Sequence, residues 1–229
     1  MKIFVIHYSK FADRKTSILD QFKKQNITDF EFVEKYDKED LQPADTQLFS
    51  GLKDSHVSLF LKHLYVYRLI AENHKHALIF EDDVILTPHF MYILAQYTKQ
   101  LSPTYDMLFV GNGCNLHIQK NKWRKGQYIY RKALFPTPGE GDGASRCLDS
   151  YLMSQKCAAR LCEYVKRQSK IKLAVDWWLN VASRDNQFEV YWAEPTLVTQ
   201  GSQTGLFPSS LQPKVGTVDA LKFRHFAAK

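Results

Sequence analysis

Residues Ala77-Leu78-Ile79-Phe80-Glu81-Asp82-Asp83-Val84-Ile85-Leu86 set three consecutive carboxylates inside an otherwise apolar run. Charge in such a strand-like setting costs several kcal/mol unless a metal or a cationic partner compensates it, so a divalent cation is the first reading. Side chains alternate faces along an extended chain, which puts Glu81 and Asp83 on one side and Asp82 on the other. Two carboxylates can then converge on one ion. Hard oxygen ligands suit Mg²⁺ or Mn²⁺, which keep positions open for phosphate oxygens, so the expected substrate is a diphosphate. The plainer alternative is a strand end whose acids cap the next turn or pair with Lys and Arg.

The rest of the chain reads as alternating strands and helices. Ile3-Phe4-Val5-Ile6 predicts a buried first strand, followed by a helix capped at Asp13, with Arg14 in its first turn and Ile18, Leu19 and Phe22 facing inward. A second strand is expected over Phe30–Lys35, ending in a charged loop at Tyr36-Asp37. Ser55 reads as the cap of a long helix to about Asn73, in which Leu59, Phe60, His63, Leu64, Tyr67 and Ile70 recur at helical spacing. That helix leads into the acidic strand. Another helix is expected over Phe90–Gln100, then a buried strand at Tyr105–Gly111, a helix through Cys157–Val165, a helix capped by Asp176, and a late strand at Phe188–Trp192. This succession argues an α/β layer fold. Between Asn112 and Arg146 the periodicity fails, and the Pro- and Gly-punctuated stretch from Phe135 to Arg146 is expected to be a mobile lid over a bound donor.

At 229 residues the chain fits one domain, expected to span 1–229. No apolar stretch has the length of a membrane span or a signal segment, so a cytoplasmic protein is expected. Cys114, Cys147, Cys157 and Cys162 form no Cys-x-x-Cys pair and read as free thiols, and no His-Glu-x-x-His pattern suggests zinc. The net charge of +7 favours an anionic partner. Its basic and apolar tail, Lys214–Lys229, fits peripheral contact with an anionic membrane surface at the inner face of the cell membrane, with a solvated terminal segment as the alternative. Scattered basic residues without a binding motif argue against nucleic acid.

Taken in order, these blocks resemble glycosyltransferase family 25, the group of lipooligosaccharide and collagen galactosyltransferases. The resemblance rests on the strand and Arg-containing helix of Ile3 to Arg14, Ser55-His56 before a helix, and Leu78-Ile79-Phe80-Glu81-Asp82-Asp83-Val84. It continues through Asp106-Met107-Leu108-Phe109-Val110-Gly111, Ser150-Tyr151-Leu152-Met153-Ser154, Val175-Asp176-Trp177-Trp178-Leu179 and Pro195-Thr196-Leu197-Val198-Thr199-Gln200. One departure is Leu52-Lys53-Asp54 before Ser55-His56, where the family commonly has a Gly-Cys pair.

The resemblance implies a GT-A-type glycosyltransferase fold, a Rossmann-like mixed sheet flanked by helices. It also implies a UDP-hexose donor, UDP-galactose in the family's usual pattern, and Mn²⁺ (or Mg²⁺) held by Glu81 and Asp83 against the diphosphate. A glycan or glycolipid acceptor in lipopolysaccharide or other surface-polysaccharide biosynthesis follows. The β-linkages of family members imply inversion, for which a carboxylate must take the acceptor proton. Asp176, beside Trp177 and Trp178, is the candidate base; capping its helix is the alternative. Arg14 is a candidate for the diphosphate or uracil, Asp37 for the nucleoside, and His56 for the donor sugar. Asp82 and Gln200 are further donor-side candidates, Gln200 as a late metal or phosphate contact. Two other classes compete: a non-catalytic nucleotide-sugar or glycan-binding protein that kept the fold, and a metal-dependent phosphohydrolase, which would want more clustered acids or histidines.

Overall fold

The computed structural model describes residues 1–208. The tail Lys214–Lys229, assigned above to membrane contact, lies outside the described residues. The chain runs through β1 (Ile3–Ile6), α1 (Ala12–Lys24), β2 (Phe30–Val33), α2 (Pro43–Thr46), α3 (Asp54–Asn73), β3 (His76–Glu81), β4 (Val84–Leu86) and α4 (Phe90–Thr98). It continues through β5 (Met107–Phe109), β6 (Ile129–Arg131), β7 (Ser150–Ser154), α5 (Gln155–Lys166), α6 (Val175–Asn186), β8 (Val190–Ala193), β9 (Val198–Gln200) and α7 (Gly201–Thr204).

Seven strands form one sheet in the order β2-β1-β3-β7-β5-β8-β6, and β4 pairs with β9 in a separate ribbon. The pairs β1 with β2, β1 with β3 and β5 with β8 are parallel; β7 and β6 run antiparallel to their neighbours. This is the α/β mixed sheet flanked by helices that the GT-A expectation calls for.

The alternation of strand side chains divides the core into two layers. Phe4, Ile6, Ala77, Ile79, Met107 and Phe109 pack toward α3, α5 and α6. Ile3, Val5, Leu78, Phe80 and Leu108 pack with Ile18 and Phe22 of α1 and Phe90 and Leu94 of α4. Strands buried on both faces read as continuous apolar runs, which is why β1, β3 and β5 were visible in the sequence. Because β1, β2 and β3 are parallel, His7, the loop to Asp37, and the acidic run all emerge at the same edge. In open α/β sheets that carboxyl edge is where ligands gather.

Several local expectations are corrected. Three helices predicted to start at an Asp or Ser cap instead carry the acid inside the first turn: Asp13 in α1, Asp54 in α3 and Asp176 in α6, with no side-chain cap bond at Phe11, Lys53 or Ala174. A carboxylate there is favoured by the helix dipole without occupying the cap. β2 stops at Val33 and α4 at Thr98.

The stretch 135–146 is not a free flap in this structure. Glu140 is buried and accepts from Lys122 Nζ at 2.7 Å and Gln119 N at 3.1 Å, and Ser145 N donates to Asn180 Oδ1 at 2.7 Å. At its end Arg146, fully buried, pairs with Glu194, donates to Leu116 O and Ala193 O, and stacks 4.5 Å from the Trp192 ring. Irregular backbone held by buried charge has no periodic sequence signature.

Candidate functional site

A cleft of about 670 Å³, counted with its open mouth, lies at the carboxyl edge of β1 and β3. It is lined by His7, Tyr8, Phe11 and Arg14 after β1, by Lys38, by Ser55, Ser58, Leu59 and Lys62 of α3, and by Glu81 and Asp82.

The three acids of the run take three different environments. β3 ends at Glu81, so strand alternation reaches only one residue further: Glu81 turns toward the α3 side, and Asp82 turns toward α1. Asp82 Oδ1 accepts from Arg14 Nη1 at 2.7 Å, and its Oδ2 lies 2.9 Å from His7 Nδ1 and 3.1 Å from Tyr8 N. Burial alone would raise the Asp82 carboxyl, but the His7 and Arg14 contacts bring it below its ordinary value. Arg14 is buried rather than exposed, donates also to Pro208 O at 2.6 Å, and lies over the Phe11 ring.

Asp83 sits beyond β3, in the turn before β4, so the expectation that it shares a strand face with Glu81 does not hold. Its carbonyl accepts from Gly201 N at 2.6 Å, and its Oδ2 accepts from Ser202 N at 3.3 Å. Gln200 is brought beside this turn by the pairing of β4 with β9, opposite Val84, and is hydrogen-bonded to Gln203. A Cβ on Gly201 would meet the Phe207 ring at 2.5 Å and Asp83 O at 3.0 Å, so the close approach depends on that glycine.

A fourth acid, absent from the sequence reading, completes the group. Asp149, just before β7, is fully buried; Ser150 Oγ donates to its Oδ2 at 2.9 Å, and its backbone oxygen accepts from Glu81 N at 2.8 Å. Gly111 makes room for it, since a Cβ there would stand 1.8 Å from Asp149 Oδ2.

The electrostatics of the group follow from crowding. Burial, then Asp83, Asp149, Asp82 and Asp176, push Glu81 well above its ordinary value. Burial, with Asp83 adding, pushes Asp149 up to about 7, and burial raises Asp83 as well. Asp83 Oδ1 and Asp149 Oδ1 are buried with no hydrogen-bond partner. Raised carboxyls and orphaned carboxylate oxygens are both what a bound cation would relieve, so these residues fit Mn²⁺ or Mg²⁺. Among the described residues, however, no three His, Cys, Asp or Glu side chains stand at metal-ligand spacing.

The other candidates are distributed around the cleft. Asp37 is buried, with Oδ1 held by Lys62 Nζ at 2.6 Å and Oδ2 by Ser9. Burial raises this carboxyl, but the Lys62 and Ser9 bonds bring it net below its usual value. Lys62 also donates to His7 O and Val33 O. Three acceptors saturate its ammonium. Lys38, with 45% of its side chain exposed, is the cleft-lining cation not buried in such a network. His56, in the first turn of α3, is not among the lining residues. Asp176 is half-buried in the first turn of α6, where its Oδ1 accepts from Trp177 N at 2.8 Å, and its charge reaches Glu81. The two tryptophans separate: Trp178 is core, 5.0 Å from the Phe60 ring, whereas Trp177 is 50% exposed.

His7, Lys62, Ser58 and Asp149 were missed. For Lys62 and Ser58 the available signal was a polar residue on the inward face of an amphipathic helix; for Asp149 no local signal exists.

Residues 1–179 match the family profile described as glycosyltransferase family 25 (LPS biosynthesis protein). A candidate glycosyltransferase of Acanthamoeba polyphaga mimivirus is 32% identical over 124 residues, which are 50% of this chain and 38% of that protein. The chain thus spans well under half the length of that relative. Among solved structures, an active-site mutant of LgtC superposes with a TM-score of 0.49 at 10% identity, covering 99% of this chain and 95% of that one. The Drosophila β1,4-galactosyltransferase 7 complex with manganese, UDP-Gal and xylobiose gives 0.46 at 10% identity, covering 100% and 79%.

Proposed function

The chain belongs to glycosyltransferase family 25, and on that premise we propose that it moves a hexose, galactose in the leading case, from a UDP-sugar to a glycan or glycolipid acceptor of a cell-surface polysaccharide. In this reading residues 1–229 act as one catalytic domain. One observation carries the proposal: Glu81 lines the open cleft at the carboxyl edge of β1 and β3 while Asp83 and Asp149 behind it keep buried oxygens without partners. A sugar-nucleotide diphosphate with a divalent cation answers both features.

Glu81 and Asp83 would hold the cation, with diphosphate oxygens supplying ligands that the side chains do not. When bound, the cation neutralises the charge that gathers on the departing UDP. Asp82 is paired with Arg14 and His7, and we assign it and Arg14 to shaping the donor site from behind. The Asp37–Lys62 pair does the same at the nucleoside end, and Lys38 stands on the rim where a phosphate would pass. Gln200 borders the acidic turn. Asp176 is the proposed base: it takes the proton of the acceptor hydroxyl as that oxygen bonds to the anomeric carbon and the bond from that carbon to the diphosphate oxygen breaks. A single displacement of this kind inverts the α-linked donor to a β-linked product. Trp177, exposed beside Asp176, offers a face on which an acceptor sugar can stack.

The test is a panel of UDP-sugars with and without Mn²⁺, read by saturation-transfer NMR and by slow donor hydrolysis. One UDP-hexose should bind and hydrolyse only with the metal. Equal binding of every nucleotide-sugar without metal would overturn the reading. Donor hydrolysis that no acceptor redirects to transfer would point to a phosphohydrolase.

A further inference from the structure

Behind Glu81 runs a buried chain of polar side chains to which the proposed chemistry gives no role. His63 and Tyr67 stand one turn apart on α3, and Tyr151 reaches them from β7; none is more than 1% exposed. Tyr151 OH lies 2.8 Å from His63 Nδ1 and 2.9 Å from Tyr67 OH. At the other end of the imidazole, His63 Nε2 is buried, has no hydrogen-bond partner, and stands 3.8 Å from Glu81 Oε1.

Counting protons decides the direction of this chain. Tyr67 OH has Tyr151 OH as its hydrogen-bond partner among the described residues. If His63 carried its proton on Nδ1 and donated to Tyr151, the two hydroxyls would have one hydrogen bond between them, and whichever donated in it, the other hydroxyl proton would be buried with no acceptor. In the opposite direction Tyr67 donates to Tyr151, Tyr151 donates to His63 Nδ1, and the one ring proton sits on Nε2, facing Glu81. Only this arrangement leaves no hydroxyl proton stranded, and a stranded buried donor costs about 1–3 kcal/mol.

We propose that His63 is held as its Nε2–H tautomer by Tyr151 and Tyr67 and acts as a positioning residue that orients the Glu81 carboxylate toward the cleft. The ring is fully buried, an environment that disfavours the charged imidazolium, so a single N–H is available. A small rotation of the Glu81 side chain brings the 3.8 Å separation to the ~2.9 Å of a hydrogen bond. Imidazole and carboxylate partners outside a metal's own ligands commonly fix ligand orientation in this way. The inference rests on the reading of Glu81 as a cation ligand.

Two measurements test it. In the wild-type protein without metal, two-bond ¹⁵N–¹H spectra of His63 should show the Nε2–H pattern; the Nδ1–H pattern would overturn the proposal and needs no variant. Second, Mn²⁺ affinity in the presence of UDP is read by the electron paramagnetic resonance signal of free Mn²⁺. His63→Asn keeps a polar atom near the Nδ1 position for Tyr151 but nothing toward Glu81, whereas His63→Gln restores a donor near the Nε2 position. With equal melting temperatures, Asn should weaken Mn²⁺ binding about tenfold and Gln should recover most of it. Equal weakening by the two variants would overturn the positioning role. If wild-type protein with UDP fails to bind Mn²⁺, the cation-ligand reading of Glu81 fails, and the positioning role falls with it whatever the tautomer.

Discussion

Replacing Asp149 by Asn should stabilise the protein, and the gain should grow with pH. Asp149 is fully buried, one of its oxygens has no partner, and burial with Asp83 beside it raises its carboxyl from 3.8 to about 7. A carboxyl raised on folding is bound to its proton more tightly in the native state. Its contribution is therefore fully present below the unfolded pKa and is lost as pH rises toward the folded one. A rise from 3.8 to about 7 corresponds to about 4 kcal/mol once both states are ionised, roughly 2 kcal/mol of it falling between about pH 5.5 and about pH 8. Asn preserves the shape and can accept from Ser150 Oγ with its carbonyl. Urea unfolding of both proteins at the two pH values is the assay. The variant should be more stable by about 2–4 kcal/mol at about pH 8, with the gap about 2 kcal/mol smaller at about pH 5.5. A gap independent of pH, or a variant less stable at both, would refute the idea that Asp149 is held in a strained acidic site.

The remaining predictions separate roles within the same neighbourhood. Asp82→Asn should destabilise the fold by about 3 kcal/mol, because it leaves Arg14 buried with its ionic partner gone. Asp83→Asn should instead leave urea stability at least as high and abolish Mn²⁺-dependent UDP binding in isothermal titration. Glu194→Gln strands the buried Arg146 guanidinium, so unfolding should become easier by about 3–5 kcal/mol, and limited proteolysis should begin to cut within 135–146. Asp176→Asn should bind UDP-sugar and metal as before while transfer falls by about 10²-fold or more, as expected when a general base is lost. Asn keeps an oxygen for Trp177 N and gives up only the first-turn carboxylate's dipole gain of about 0.3–1 kcal/mol, so the variant should fold, and one transferring at the parental rate would move the base to another residue.

What could be read in the sequence was what depends on short-range periodicity. β1, β3 and β5 were visible because both of their faces are buried, and α3 because Phe60, Leu64, Tyr67 and Ile70 return on one side. The alternation argument also placed Glu81 and Asp82 on opposite sides, and they meet α3 and α1 respectively. It failed one residue later for a local reason: Asp83 is drawn out of the strand by Gly201 N and Ser202 N, from a segment more than a hundred residues downstream. Long-range partners of this kind account for the other gaps. Arg14 meets Asp82 across 68 residues, and Arg146 meets Glu194 across 48; neither pairing leaves a mark in local composition. The same holds for Asp149, whose place depends on the missing side chain of Gly111, two residues beyond the end of β5. Two polar residues carried a signal that the sequence reading did not use, Lys62 and His63, because an amphipathic helix has no reason to turn an ammonium and an imidazole inward unless something there receives them. Lys62 finds Asp37 and His63 finds Tyr151, so in a helix of this kind a buried polar pair is a better pointer to the ligand edge than the exposed acids or arginines around it.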